Sequence, residues 1–188
     1  MNNKQPWKEK DANGNLIWKT ESAYWSWMKG VFRRGWNKHP LKLEYLKQNR
    51  VRIPNPNPKG KVAEVWGAKC ECCEQLFTMS QVEVNRKGDS AALTKQSDIQ
   101  ACVEKLLMVT FDQLEILCKD CHAIYSYSQK NNISFEEARI QKKVIAFMKQ
   151  PVKEQLAYFK ELGYDSSDDV RNVAKRRKLI EQIYKGEK

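Results

Sequence analysis

The sequence predicts an α+β chain that is mostly helical, with a little strand near its centre. Three observations predict it. Apolar residues recur at helical spacing on both sides of the middle, with capping residues and prolines at the boundaries. The middle itself, VAEVWGAKCECCEQLFTMSQVEVNRK, reads as short strands separated by turns. Two Cys-x-x-Cys pairs, Cys70/Cys73 and Cys118/Cys121, enclose the rest of that region, and no other internal repeat is visible.

Residues 1–21 form a polar arm interrupted by Pro6 and Gly14, with Trp7 and Trp18 as anchors. Residues 22–52 form a basic, aromatic helical hairpin. Its first helix starts at Ser22 as cap, and Tyr24, Trp27, Met28, Val31 and Phe32 share a stripe that places Trp27 in the core. Trp25 and Trp36 fit either a core or a stacking role against bases. Pro40 opens the second helix, PLKLEYLKQNRVR. Residues 53–61, IPNPNPKGK, cannot continue a helix and predict a stiff, extended connector, either a domain boundary or a strap.

Residues 62–148 hold the cysteine module. After a break at Gly88-Asp89, the segment 97–107 is a helix with Ile99, Cys102, Val103, Leu106 and Leu107 on its apolar stripe, which makes Cys102 a core residue. FDQLEILC leads into the second cysteine pair, and HAIYSYSQKNN continues as a helix. Ser134 and Glu137 form a capping-box pattern before a long amphipathic helix. Residues 149–188 add a helical extension: one helix after Pro151 ending near Gly163, then a last helix with Ser167, Asp168 and Asp169 at its start.

Lys and Arg number 34 against 23 acids, a formal charge of +11 over 188 residues, spread along the chain. That field favours polyanions, nucleic acid first and DNA ahead of RNA; the plain alternative is a solvated basic surface. No apolar run approaches the ~20 residues of a membrane span. The N-terminal stretch lacks the apolar core of a signal peptide. The expectation is therefore a cytoplasmic protein with no membrane partner. In a reducing compartment the cysteine pairs point to metal and not to disulfides. Four thiolates from Cys70, Cys73, Cys118 and Cys121 suit a structural Zn²⁺, with Cys72 as an alternative to Cys73. Arg33, Arg34, Lys38, Lys42, Lys47, Arg50 and Arg52 are candidate phosphate contacts.

CECC, VEVNRKGDSAALTKQSDIQACVEKL and QLEILCKDCHAIYS, read together, resemble the HNH endonucleases encoded by phages, in particular the small forms of T7-like phages. WSWMKGVFRRGWNKHPLKLEYLK resembles their basic N-terminal segment, and the resemblance covers about residues 22–143. It implies a zinc-stapled ββα-metal core. It also implies an acid that binds a divalent ion and a histidine that activates water, at positions held here by Asn85 and Arg86. The family's middle asparagine falls on Gln113, its last histidine on His122, and a common lysine on Tyr125.

Arginine stays protonated at working pH and cannot act as general base, although Arg86 and the adjacent Lys87 can hold a phosphate. The expectation is that no catalytic residue remains and that a second divalent ion is absent. The protein then binds nucleic acid, or a host or viral complex that processes it, as accessory or inhibitor, with YFKELGY and LIEQIY of the C-terminal helices as partner anchors or as core. Two alternatives stand beside this. One is an endonuclease or nickase with a rearranged site built on Glu83, Asn85 and His122, with Asp89 nearby. The other is a structural or virion-associated protein without nucleic-acid contact.

Overall fold

The computed structural model describes residues 5–57, 59, 61–88, 92–164 and 168–186. Asp89 and Ser167, named above, lie outside the described residues. The fold is α+β, mostly helical, with two small antiparallel sheets. The chain forms two compact units, residues 1–119 and 120–188.

In the first unit, the arm sets the phase of helix α1, Glu21–Asn37. The Trp7 ring lies 5.7 Å from both Tyr24 and Trp25. Trp25 is buried and its indole N–H donates to Glu21 at 3.1 Å. Trp27, expected inside, is 49% exposed and meets Trp18 at 5.5 Å on the surface. The helix cap is Thr20, whose hydroxyl accepts from the Ala23 amide, and not Ser22.

Helix α2, Pro40–Gln48, is shorter than the expected hairpin arm. RVRIP is instead strand β1, Arg50–Pro54, antiparallel to β2, Glu64–Lys69, which pairs with β3, Leu76–Thr78. In an extended chain Arg50 and Arg52 fall on one face. There each guanidinium lies 4.1 Å from the Trp66 ring centre, a cation–π arrangement that favours the strand. Ile53 and Pro54 belong to β1, so the proline-rich stretch returns the chain as the β1–β2 connection and is not an extended spacer. Asn55 closes it, its amide N–H donating to the Ala63 carbonyl and its side chain to Val62. Gly67 permits close packing at the centre of this sheet: a Cβ there would stand 2.5 Å from both Ile53 and the Phe77 carbonyl oxygen.

The second sheet pairs β4, Val82–Arg86, with β5, Leu114–Cys118, placing Asn85 opposite Glu115 and Arg86 opposite Leu114. Val82 and Val84 of β4 point inward with Leu114 and Ile116 of β5, while Glu83 is exposed on the other face. Trp36, Ala68 and Val109 complete this core. Helix α3, Ile99–Leu107, buries Cys102 beside Trp25 and Leu93, the core role its spacing predicts. His39 donates from Nε2 to the Leu107 carbonyl at 3.0 Å, which joins the start of α2 to the end of α3.

Helix α4, Lys119–Asn131, follows β5 directly. In the second unit α5, Phe135–Met148, begins at Ser134, whose hydroxyl accepts from the Glu137 amide. It is followed by α6, Val152–Glu161, and α7, Val173–Lys185. Asn172 caps α7, accepting from the Lys175 amide at 2.9 Å, so the last helix starts after the acidic cluster and not within it. The core of this unit is Val144, Phe147, Phe159, Leu179 and Ile180, with Tyr158 and Tyr184 packed against it. Of the suggested partner anchors, Phe159 and Ile180 are fully buried and therefore core.

A polar pair, Arg176 and Gln155, is sealed into that core. Arg176 is 6% exposed and donates to the Gln155 side-chain oxygen at 3.1 Å and to the Val170 carbonyl at 3.0 Å. Gln155 in turn donates to the Gln150 carbonyl at 2.8 Å and to the Met148 carbonyl at 3.3 Å. The buried guanidinium is thus held by neutral oxygens, which is tolerable only while each bond is made.

Candidate metal centre and basic face

Both cysteine pairs sit at strand ends. Cys70 follows β2 and Cys73 lies in the turn before β3; Cys118 ends β5, and Cys121 stands in the first turn of α4. The four sulfurs lie within 4.8 Å of one another, and they are the one such convergence of His, Cys, Asp or Glu among the described residues. Cys73, and not the adjacent Cys72, contributes its sulfur to this group. The cluster can hold a metal ion.

The chemistry of the donors fits that use. Burial pushes the Cys70 thiol up, but the backbone N–H groups of Cys73, Cys118 and Cys72 outweigh it and bring the thiol down to about 7. One of those donors is resolved as Cys118 N–H to Cys70 Sγ at 3.2 Å. Amides aimed at a sulfur favour its thiolate, the form that binds metal.

Glu71, inside the first pair, has a supporting role that the cysteine spacing did not reveal. Its amide donates to the Ile116 carbonyl and its carboxylate accepts from the Ile116 amide, both at 2.8 Å. The same carboxylate oxygen accepts from the Tyr45 hydroxyl at 3.0 Å, and that hydroxyl also lies 3.2 Å from the Leu114 carbonyl. The first knuckle is thereby fastened to β5, the strand that delivers Cys118. Burial, followed by the bond to Glu71, raises the Tyr45 phenol to about 12.

Asn85, Arg86 and Gln113, all singled out by resemblance, are engaged in structural contacts. The Asn85 amide donates to Glu115 at 2.7 Å. The Arg86 guanidinium lies 4.6 Å from the Trp36 ring centre. The Gln113 side chain caps a short 3-10 turn, accepting from the Thr110 amide at 3.0 Å. His122 stands next to Cys121 in α4 and is half-buried.

Of the candidate phosphate contacts, Arg33, Arg34, Lys38, Lys47 and Lys87 are exposed, while Lys42 and Arg86 are half-buried around Trp36. Arg50 and Arg52 lie on β1 against Trp66. Trp25 and Trp36, weighed for base stacking, are 5% and 8% exposed, and their faces are taken by Trp7 and by Lys42 and Arg86. They are core residues and not a stacking platform. Among the described residues, no helix is long and apolar enough to cross a membrane.

No protein-family model matches the sequence, and neither a curated protein nor a solved structure matches it.

Proposed function

We propose that the chain is a zinc-stapled, HNH-like protein without phosphodiester-cleaving chemistry, which binds nucleic acid through its basic first unit. It serves as an accessory or inhibitor of a complex that processes nucleic acid. The chain order supports the ββα reading: β4 pairs with β5, and α4 follows immediately. Four thiolates suit zinc in a closed site, which leaves no coordination place for a substrate, so its contribution is to folding.

The observation that carries the loss of chemistry is Arg86. At the place where the resemblance requires a base stands a permanent cation fixed on the face of Trp36. Its neighbour Asn85 spends its amide on Glu115. An arginine has no lone pair to take a proton from water, and a neutral amide oxygen is a weaker metal ligand than a carboxylate. Binding remains available through Arg33, Arg34, Lys38 and Lys87, all exposed on the first unit.

The test combines binding and cleavage. Fluorescence anisotropy with a labelled DNA duplex should give an affinity that falls linearly with salt on logarithmic axes. Replacing Arg33 and Arg34 by Gln should reduce both affinity and slope. Supercoiled plasmid incubated with Mg²⁺, Mn²⁺ or Ni²⁺ should stay intact. Nicking that disappears in His122→Ala would overturn the inactive assignment, and affinity indifferent to salt would overturn the binding one.

A further inference from the structure

The first unit contains a small cleft between α1, the end of β4 and α3, with a cavity volume of about 110 Å³. Lys29 and Arg33 enter it from α1, Arg86 from β4 and Lys105 from α3, above an apolar wall that includes Phe32 and Leu106. Among the described residues, every charged side chain lining the cleft is a cation. Among the described residues none of the four is paired with a carboxylate, whereas Lys47, Lys69, Arg139 and Lys185 each meet a glutamate.

Like charges converging on an apolar-walled cleft repel one another more strongly than they would in open water. For Arg86, burial is the main cause of a lowered pKa; the neighbouring Cys102 opposes it, and the Arg33 charge adds a smaller lowering. The arrangement is relieved by an anion, and the stacked Arg86 presents a guanidinium whose plane Trp36 already fixes.

Size and charge narrow the anion. A volume near 110 Å³ is a few times the ~30 Å³ share of one water and well below the roughly 300 Å³ where small-molecule pockets begin. It matches one tetrahedral oxyanion, with the rest of any larger ligand lying outside the cleft. A phosphodiester brings a single negative charge, but a phosphomonoester brings about −1.5 to −2 and three terminal oxygens, the better match to four cations.

We propose that this cleft binds a phosphomonoester dianion and, resting on the nucleic-acid reading above, that it receives the terminal phosphate of a strand. Internal phosphates would then be held by the exposed arginines and lysines outside the cleft. The protein would thus discriminate a phosphorylated end from a hydroxyl end.

Two measurements on the full chain test this. In the first, inorganic phosphate at pH 7.5 is titrated against potassium chloride of equal ionic strength, with thermal unfolding as the readout. The expected result is a saturable rise in Tm for the parent that is lost in Lys29→Gln/Lys105→Gln and kept in Lys19→Gln, an exposed lysine of the arm that does not line the cleft. Lys105 is exposed and Lys29 half-buried, and neither stacks on a core ring as Arg86 does on Trp36. In the second, labelled strands with a 5′-phosphate or a 5′-hydroxyl are compared, and about tenfold tighter binding of the phosphorylated strand is expected, again lost in the double variant.

No phosphate response beyond chloride, or an equal response in the double variant, overturns the cleft as a phosphate site. A phosphate response with equal binding of the two strands assigns the cleft to free phosphate or a small phosphorylated compound and overturns the strand-end role. If neither strand binds, the nucleic-acid reading fails by itself, and the phosphate titration still decides the cleft.

Discussion

Cys72 and Cys73 are adjacent, chemically identical and both exposed, yet only Cys73 has its sulfur in the four-thiol cluster. Comparing Cys72→Ser with Cys73→Ser therefore isolates metal binding from packing. Without a metal, both are surface substitutions and should change stability by less than about 0.5 kcal/mol. With a metal, Cys73→Ser removes one thiolate of four. If the remaining three bind about a thousandfold more weakly, folding stability falls by about 4 kcal/mol at fixed free zinc. That lies comfortably inside the roughly 10–16 kcal/mol that structural zinc contributes in small zinc-binding peptides.

The readout is favourable, because all six tryptophans, from Trp7 to Trp66, lie in the first unit. Urea unfolding followed by tryptophan fluorescence, in buffered zinc, reports that unit alone. Chelation should bring the parent, Cys72→Ser and Cys73→Ser to one common, lower midpoint and release one equivalent of zinc from the parent. Equal midpoints for all three proteins in buffered zinc, or the same zinc affinity in Cys73→Ser as in the parent, would refute the assignment.

Glu71→Gln keeps the carboxyl-type oxygen that accepts from Ile116 and Tyr45 and should bind zinc like the parent, whereas Glu71→Ala should weaken zinc affinity by about tenfold in a competition titration. Tyr45→Phe should cost about 1 kcal/mol at pH 8. Because the folded-state phenol is raised to about 12, its contribution is complete below the unfolded value near 10 and is lost as the pH climbs from 10 through 12. Urea midpoints at pH 8 and pH 11 should therefore show the gap between parent and variant narrowing. Gly67→Ala should destabilise the first unit by about 2–3 kcal/mol, since one of the atoms in its way is a backbone oxygen that cannot swing aside. Gln155→Leu should cost the second unit about 2–3 kcal/mol by stranding the buried Arg176 N–H. Far-UV circular dichroism should detect that loss while the tryptophan transition stays in place.

What could be read from the residues was what local chemistry determines. The Ser134 cap, the stripe around Cys102 and the two cysteine pairs need only near neighbours or a metal to explain them. What escaped depends on partners distant in the chain. RVR reads as the end of the second helix and Ile53-Pro54 as the start of the connector, and Trp66, on the opposite strand, makes the alternation of Arg50 and Arg52 favourable. The choice between Trp25 and Trp27 for the core was likewise made by Trp7 in the arm, which no periodicity within α1 encodes. Glu71 was hidden between two cysteines that drew the reading to themselves. The cleft cations were visible as charge, but Lys29 and Lys105 share no segment that would have grouped them.

The β1 strand has a further consequence for how copies of this chain behave toward one another. It lies at the edge of its sheet, and an open edge is a template onto which another molecule can add a strand. Here that edge carries two arginines clasping one indole and closes in Pro54, which lacks the N–H a newcomer would need. The same pair of cations thus puts positive charge along the open edge, a feature that disfavours sheet extension by a like-charged copy. High salt, by screening their charge, weakens that effect.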